Sequence, residues 1–349
     1  MEPPQSQGFF HGRRRLGYNE SMSDIHCLTV EEKAAGRTQY LLEDFPHAYG
    51  ISLGEWPCNR ECRMCPMFGN RASVKPRFIT PQIFERACAE VGDRPISLEI
   101  SAYGETYQHP KADEFLFIAR RMCPKAHITV ATNGTLLNEE RCVEIAESGV
   151  DTLQLSLDAG SPETYEWLTG SSDYDRVTRN LETLVKTRNR LGAKHLTITT
   201  HIIGVKELSH EFDTFTKRWG KVADWATVRR YGNWAGMVDN NGITPAESQN
   251  IPAERYPCAW LWYATKIEPD GAVSKCFIHV TGDDNPLGNI MEQSFESIWR
   301  GDRIKMLREL HMEGRHSEIE HCGNCIVWSL FPKFWERADG NGASPARWR

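Results

Sequence analysis

From about residue 48 the apolar positions switch repeatedly between two periods. Short β-rich runs fall at 50–54, 97–101, 127–131, 152–157, 195–202 and 225–230. Helical spacing fills the gaps at 81–92, 111–122, 137–148, 174–191 and 208–219. In 137–148, Leu137, Val143, Ile145 and Ala146 make one stripe and Gly149 stops it. Strands alternating with helices through short connections predict parallel strands joined by right-handed crossovers. Six such units curve toward a barrel without reaching the eight that close one. The predicted fold class is therefore α/β, a partial (β/α)6 TIM barrel over 46–235 with an open side. A doubly wound open sheet is the alternative.

After about residue 232 the pattern breaks. Residues 236–256 are polar and rich in Asn, Pro and Gly, and read as a linker. A second unit is predicted over 257–335. It begins with a β-hairpin whose arms are 260–267 and 273–278, joined at the turn Glu268-Pro269-Asp270-Gly271. A helix near 294–311 follows, then His321-Cys322-Gly323-Asn324-Cys325. Residues 1–45 read as a surface arm or lid carrying Arg13, Arg14 and Arg15, and 336–349 as a frayed tail.

Composition narrows the classes. The 349 residues are 40% hydrophobic and 25% charged, which is ordinary globular usage. A net charge of −6 gives no electrostatic footprint for nucleic acid. No stretch approaches the roughly 18 apolar residues of a membrane span, and no secretory h-region is seen. The 11 cysteines are an odd number, which argues against a disulfide framework and for a reducing, cytoplasmic compartment. Cys27, Cys88, Cys123 and Cys142 stand alone and read as buried small hydrophobes. Cys58, Cys62, Cys65, Cys258, Cys276, Cys322 and Cys325 sit in loops beside Gly, Pro or Asn, and are the candidate metal ligands.

Cys58, Cys62 and Cys65 follow the first strand at C-x3-C-x2-C spacing. The C-terminal ends of parallel strands are where active sites form. Zinc prefers four ligands in C-x2-C pairs, whereas a 4Fe–4S cluster on three thiolates keeps one iron open. The run Pro-Cys-Asn-x-x-Cys-x-Met-Cys-Pro resembles the signature of the radical S-adenosylmethionine (SAM) superfamily, in the subgroup with a C-terminal SPASM or twitch extension. The resemblance covers roughly residues 48–332. It implies a SAM-chelating 4Fe–4S cluster on the three cysteines, with a flavodoxin- or ferredoxin-type electron donor. It implies SAM cleavage to a 5′-deoxyadenosyl radical that takes a substrate hydrogen, and Met64 against the adenine. Tyr103-Gly104-Glu105-Thr106 is similar to the family's Gly-Gly-Glu-Pro, so Gly104 and Glu105 would hold the SAM ammonium. Tyr103 and Thr106 depart from that pattern. Thr132 and Asn133 end the third strand and Ser156 and Asp158 the fourth, at SAM-contacting places of the family. Thr169 stands where many members carry an Arg.

Cys258, Cys276, Cys322 and Cys325 form a closed four-ligand set that suits zinc on spacing alone. The resemblance favours a twitch domain with one auxiliary 4Fe–4S cluster. The spacing is similar to that of the twitch-type dehydrogenases of aminocyclitol antibiotic biosynthesis. A cluster with no open iron exchanges electrons, which suits oxidation of a secondary alcohol to a ketone. Only about 45 residues precede the first strand, too few for a peptide-recognition domain, so a small polar sugar- or aminocyclitol-like substrate is expected. Candidate substrate residues are Arg229, Arg230 and Tyr231 at the last strand, with Asn233 and Trp234 nearby, and His201 at the fifth. Decarboxylation, epimerisation, dehydration, peptide maturation and a non-enzymatic zinc protein are the alternatives.

Overall fold

The computed structural model describes residues 45–238, 241–247, 251–278 and 285–330. The predicted tail and all but the last residue of the predicted arm lie outside them.

Six parallel strands build the sheet: β1 (Ala48–Glu55), β3 (Ser97–Tyr103), β4 (His127–Thr132), β5 (Thr152–Asp158), β6 (Thr197–Gly204) and β7 (Trp225–Arg230). A two-residue strand, β2 (Arg77–Phe78), pairs antiparallel with the end of β1. Helices α1 (Pro81–Val91), α2 (Ala112–Met122), α3 (Glu139–Glu147), α4 (Pro162–Thr169), α5 (Tyr174–Leu191) and α6 (Phe212–Trp219) lie between the long strands. Local chemistry sets their starts. The Thr80, Asn138 and Ser161 side chains each accept an amide N–H of the first turn, and Pro81 and Pro162 need no such acceptor. The six parallel strands neighbour one another in chain order with no reversal. That progression is the partial barrel; a doubly wound sheet would reverse direction at a switch point.

Alternation sorts the side chains. Tyr49, Ile51, Leu53, Leu98, Ile100 and Leu153 are fully buried and pack toward the helices, where Phe84 of α1 stacks on Phe115 of α2 at 4.3 Å. The alternate positions face the barrel interior. The pairing Glu99 to Thr129, and Ser156 to His201 to Thr227, shows that this interior is polar.

The C-terminal unit does not stand apart. After a one-turn helix, α7 (Trp260–Tyr263), strand β8 (Ala264–Ile267) pairs parallel with β1 from Ala48–Ala264 to Ile51–Ile267. Antiparallel β9 (Ala272–Ser274) and β10 (Gly288–Asn289) extend the same sheet. The predicted first hairpin arm is thus half helix and half strand, because Trp260, Leu261 and Trp262 bury on several faces at once. The predicted helix 294–311 is two, α8 (Phe295–Trp299) and α9 (Asp302–Met312), broken at Gly301. The polar segment read as a linker packs on the barrel where it is described. Val205 bridges Pro245, and the Asn241 amide donates to Arg63 O at 2.9 Å. No described helix is long and apolar enough to cross a membrane.

Candidate active site

The loop after β1 carries Cys58, Cys62 and Cys65, all partly exposed. A turn closed by Cys65 N–H on Cys62 O at 2.9 Å brings the last two together. Burial pushes the Cys62 thiol well up, with Asp158, Cys65 and Cys58 adding to the rise against Arg60. Burial also pushes Cys65 to about 11. Three thiols that oppose one another's ionisation suit a cationic core, which an iron–sulfur cluster supplies. Met64 is half-buried against the core beside them.

Two residues inside the cysteine spacing fix this loop, and sequence reasoning missed both. Arg60 is 3% exposed. Its Nη2 donates to Asn133 O at 2.6 Å and its Nη1 to Ser156 O at 3.0 Å. It pairs with Asp158 at 3.6 Å and lies over the Tyr165 ring. Asn59 donates to Thr135 Oγ1 at 2.6 Å and accepts from Asn133 Nδ2 at 2.7 Å. On the far side, Glu61 N–H donates to Thr169 O and Arg63 N–H to Leu168 O. Thr169 is fully buried with its hydroxyl on Tyr165 O, so the end of α4 holds the loop by its backbone. The signal was position alone: these residues lie between ligands.

The turn after β3 is fixed just as tightly. Gly104 has φ +139°, and a Cβ there would lie 2.6 Å from Trp56 Nε1. Trp56 donates from its amide to Tyr103 O at 3.0 Å and from its indole to Glu105 O at 3.2 Å. Glu105 is 1% exposed. Oε1 accepts Tyr107 N–H at 3.2 Å and the Thr132 hydroxyl, and Oε2 accepts Asn133 N–H at 2.6 Å. One lone pair of Oε2 is left. Burial raises the Glu105 carboxyl against those donors. Gly104, Glu105, Thr132, Asn133, Ser156 and Asp158 therefore meet at one end of the barrel. Asp158 holds φ +68°, a left-handed conformation rare outside glycine, between Arg60 and His201.

The substrate candidates separate. Arg229 and Arg230 alternate. Arg229 faces the interior, close enough to Glu99 and His201 to act on both charges. Arg230 Nη1 donates to Leu330 O at 3.4 Å, toward the C-terminal unit. Tyr231 is 4% exposed in the apolar core, and burial pushes its hydroxyl up to about 12. Asn233 staples the barrel to the Cys322–Cys325 loop, donating to Asn324 O at 2.8 Å and accepting Ile326 N–H at 3.0 Å. His201 has both ring nitrogens engaged, Nε2 with Asp158 at 3.2 Å and Nδ1 with Gln154 at 3.3 Å. Burial lowers its pKa although Asp158 opposes the shift. Sequence reasoning missed the interior pair Glu99 and Lys266. Burial raises the Glu99 carboxyl against Arg229, Ser101 and Lys266. Lys266 of β8 pairs with Glu268 at 3.3 Å, and its Nζ sits 3.9 Å from the Tyr103 ring centroid.

Cys258, Cys276, Cys322 and Cys325 surround a cavity lined also by Arg255, Lys275 and His311. Burial raises the Cys258 thiol, and each of the other three raises it further. Val327 N–H reaches Cys325 Sγ at 3.3 Å. Four thiols around a space, Cys325 buried and the other three partly exposed, with amide donors and two cations in the wall, fit a polynuclear iron–sulfur centre.

Residues 58–217 match the model of the Radical SAM superfamily, and 258–326 match that of the SPASM iron–sulfur cluster-binding domain. The chain thus carries a Radical SAM domain and a SPASM iron–sulfur cluster-binding domain, which support S-adenosylmethionine and two 4Fe–4S clusters as its cofactors. Among its relatives is the S-adenosyl-L-methionine-dependent 2-deoxy-scyllo-inosamine dehydrogenase of Niallia circulans. It is 22% identical over 272 residues, 77% of this chain and 88% of that one. The structure of BtrN in complex with AdoMet and 2-DOIA matches with a TM-score of 0.55 at 20% identity, covering 81% of this chain and 94% of that one. The structure of anSMEcpe with bound AdoMet matches with a TM-score of 0.57 at 13% identity, covering 83% and 95%. The structure of Streptococcus suis SuiB bound to S-adenosylmethionine matches with a TM-score of 0.57 at 15% identity, covering 85% and 76%. At these identities the structural likeness is one of fold.

Proposed function

We propose that this radical SAM enzyme oxidises a secondary alcohol of a small polar metabolite, of the amino-sugar or aminocyclitol kind, to a ketone. The observation that carries this reading is the closed four-thiol set joined to the barrel through β8. A cluster on that set would be a one-electron acceptor attached to a strand that borders the polar interior. The dehydrogenase among the relatives supports the same chemistry. In this reading Cys58, Cys62 and Cys65 hold the SAM-binding cluster, and Cys258, Cys276, Cys322 and Cys325 the auxiliary one. Met64, Gly104, Glu105, Thr132, Asn133, Ser156 and Asp158 shape the SAM pocket, with the spare Oε2 lone pair of Glu105 toward the SAM ammonium. When bound, the cofactors supply a radical that removes one hydrogen atom and a cluster that takes one electron. The alcohol also loses its hydroxyl proton, which closes the balance to ketone. Glu99 takes that proton on its carboxylate, and Arg229 donates to the oxygen on which charge develops. His201 holds Asp158, and through it Arg60, rather than meeting substrate. A flavodoxin- or ferredoxin-type protein supplies the electron for SAM cleavage.

The test is anaerobic turnover of the reconstituted protein with a panel of aminocyclitols and amino sugars. The expected product is two hydrogens lighter, formed with one 5′-deoxyadenosine per turnover. Loss of carbon dioxide, or a product of unchanged mass, overturns the oxidation reading.

A further inference from the structure

The residues that wall the auxiliary-cluster cavity carry two N–H groups without an acceptor among the described residues. Arg255 lines that cavity. Its Nη1 donates to Gly323 O at 3.2 Å, inside the Cys322–Cys325 loop, and its guanidinium lies 5.5 Å from the Trp328 ring centroid. Those contacts fix the guanidinium, yet its Nε is buried with no partner among the described residues. His311 of α9 lines the same cavity. Its Nδ1 accepts Cys258 N–H at 3.3 Å, which assigns the ring proton to Nε2. That Nε2 is also buried and unpartnered among the described residues.

Buried donors in native proteins find acceptors, and each exception calls for an explanation. Two exceptions on one cavity, ringed by four thiols, share one. The sulfide and thiolate sulfurs of a bound cluster are acceptors that the described residues of this cavity do not otherwise supply. We infer that Arg255 and His311 donate N–H···S hydrogen bonds to the auxiliary cluster and hold its reduction potential up. Reduction adds one negative charge to the cluster. A neighbouring cation and hydrogen bonds to sulfur stabilise the reduced form more than the oxidised one. The inference rests on the electron-acceptor reading above, and it explains how a four-thiolate cluster is made able to take the substrate electron.

The experiment is an EPR-monitored redox titration of the full-length, doubly reconstituted protein, comparing wild type with Arg255→Met and Arg255→Lys. At a fixed solution potential, Arg255→Met is expected to hold about tenfold less reduced auxiliary cluster relative to oxidised, a fall of about 59 mV for a one-electron couple. Arg255→Lys, which keeps the charge and loses the fork, is expected to fall between. An unchanged midpoint in Arg255→Met, with iron content and line shape retained, overturns the inference. If Arg255→Met does not hold its cluster, wild-type protein labelled with [15N]arginine or [15N]histidine decides. Pulsed EPR of the reduced auxiliary cluster must then show nitrogen coupling from the labelled side chains, and its absence from both overturns the proposal. Because the potential is read without substrate, failure here is distinguishable from failure of the alcohol-oxidation reading, which the product mass decides.

Discussion

Arg60 shows how one buried cation organises the end of the barrel that carries Cys58, Cys62 and Cys65. It reaches from between two cysteines to carbonyls at the ends of β4 and β5 and to the Asp158 carboxylate. Removing one partner of a buried charge pair leaves the other uncompensated, at about 3–5 kcal/mol. Arg60→Met is therefore expected to lower the chemical-denaturation midpoint sharply and to lose the iron of the SAM-binding cluster. Asp158→Asn in that background should recover part of the loss, with a coupling of about 1–3 kcal/mol. Strictly additive effects would show that the two do not act as a unit. Glu99 supports a second prediction at this scale. Burial raises its carboxyl, so the folded state holds a proton at pH values where a free carboxylate has lost it. Activity that needs the ionised form is lost as pH falls through that raised value. The acid limb of kcat/KM is expected above the ordinary carboxylate range in wild type, and absent in Glu99→Gln together with at least a hundredfold fall in kcat. A limb that survives in Glu99→Gln belongs to another group.

At the scale of elements, β8 is what joins the two halves. It reaches β1 because Gly50 opposes Lys266 in the register. A Cβ at Gly50 would lie 3.1 Å from both Lys266 Cγ and Phe277 Cε2. Gly50→Val is therefore expected to displace β8 and the chain leading to Cys276. Iron analysis and EPR should show the auxiliary cluster reduced by half or more while 5′-deoxyadenosine still forms. A variant with both clusters intact would mean that β8 docks without needing that gap. This joint also marks the limit of what was legible in the sequence. The long strands and helices of the barrel fall where period and caps put them, since each buries one face. α4 was missed because it is eight residues long and opens directly from β5 through the Ser161 cap. The splits at α7 and β8, and at α8 and α9, follow from packing against distant residues, which a local period does not carry. Glu99 and Lys266 were not singled out in the sequence, because only the register turns them inward, and Arg230, a strand-end candidate, lies on the face of β7 opposite Arg229.

For the whole molecule, the question is whether one sheet couples two redox centres. The first cysteine set sits on the loop after β1, and the second flanks β8 and β9, of which β8 pairs with that same β1 and β9 with β8. Lys266 lies between them, over Tyr103 of the SAM-side turn and within electrostatic reach of Cys276. In the proposed reading, the barrel interior lies between the thiol set that starts radical chemistry and the one that takes away its last electron. If the molecule works as this unit, the halves come apart in a defined way. Cys322→Ser combined with Cys325→Ser removes two auxiliary ligands from a loop whose backbone Asn233 still staples to the barrel. Such a protein is expected to keep about half of its iron and to cleave SAM at a rate within a fewfold of wild type. Substrate should still lose a hydrogen atom, seen as deuterium carried from labelled substrate into 5′-deoxyadenosine. Ketone should fall at least a hundredfold, because the last electron has no acceptor in the chain. Ketone formed at the wild-type ratio to 5′-deoxyadenosine would show that the electron leaves by another route and that the second thiol set serves the fold alone.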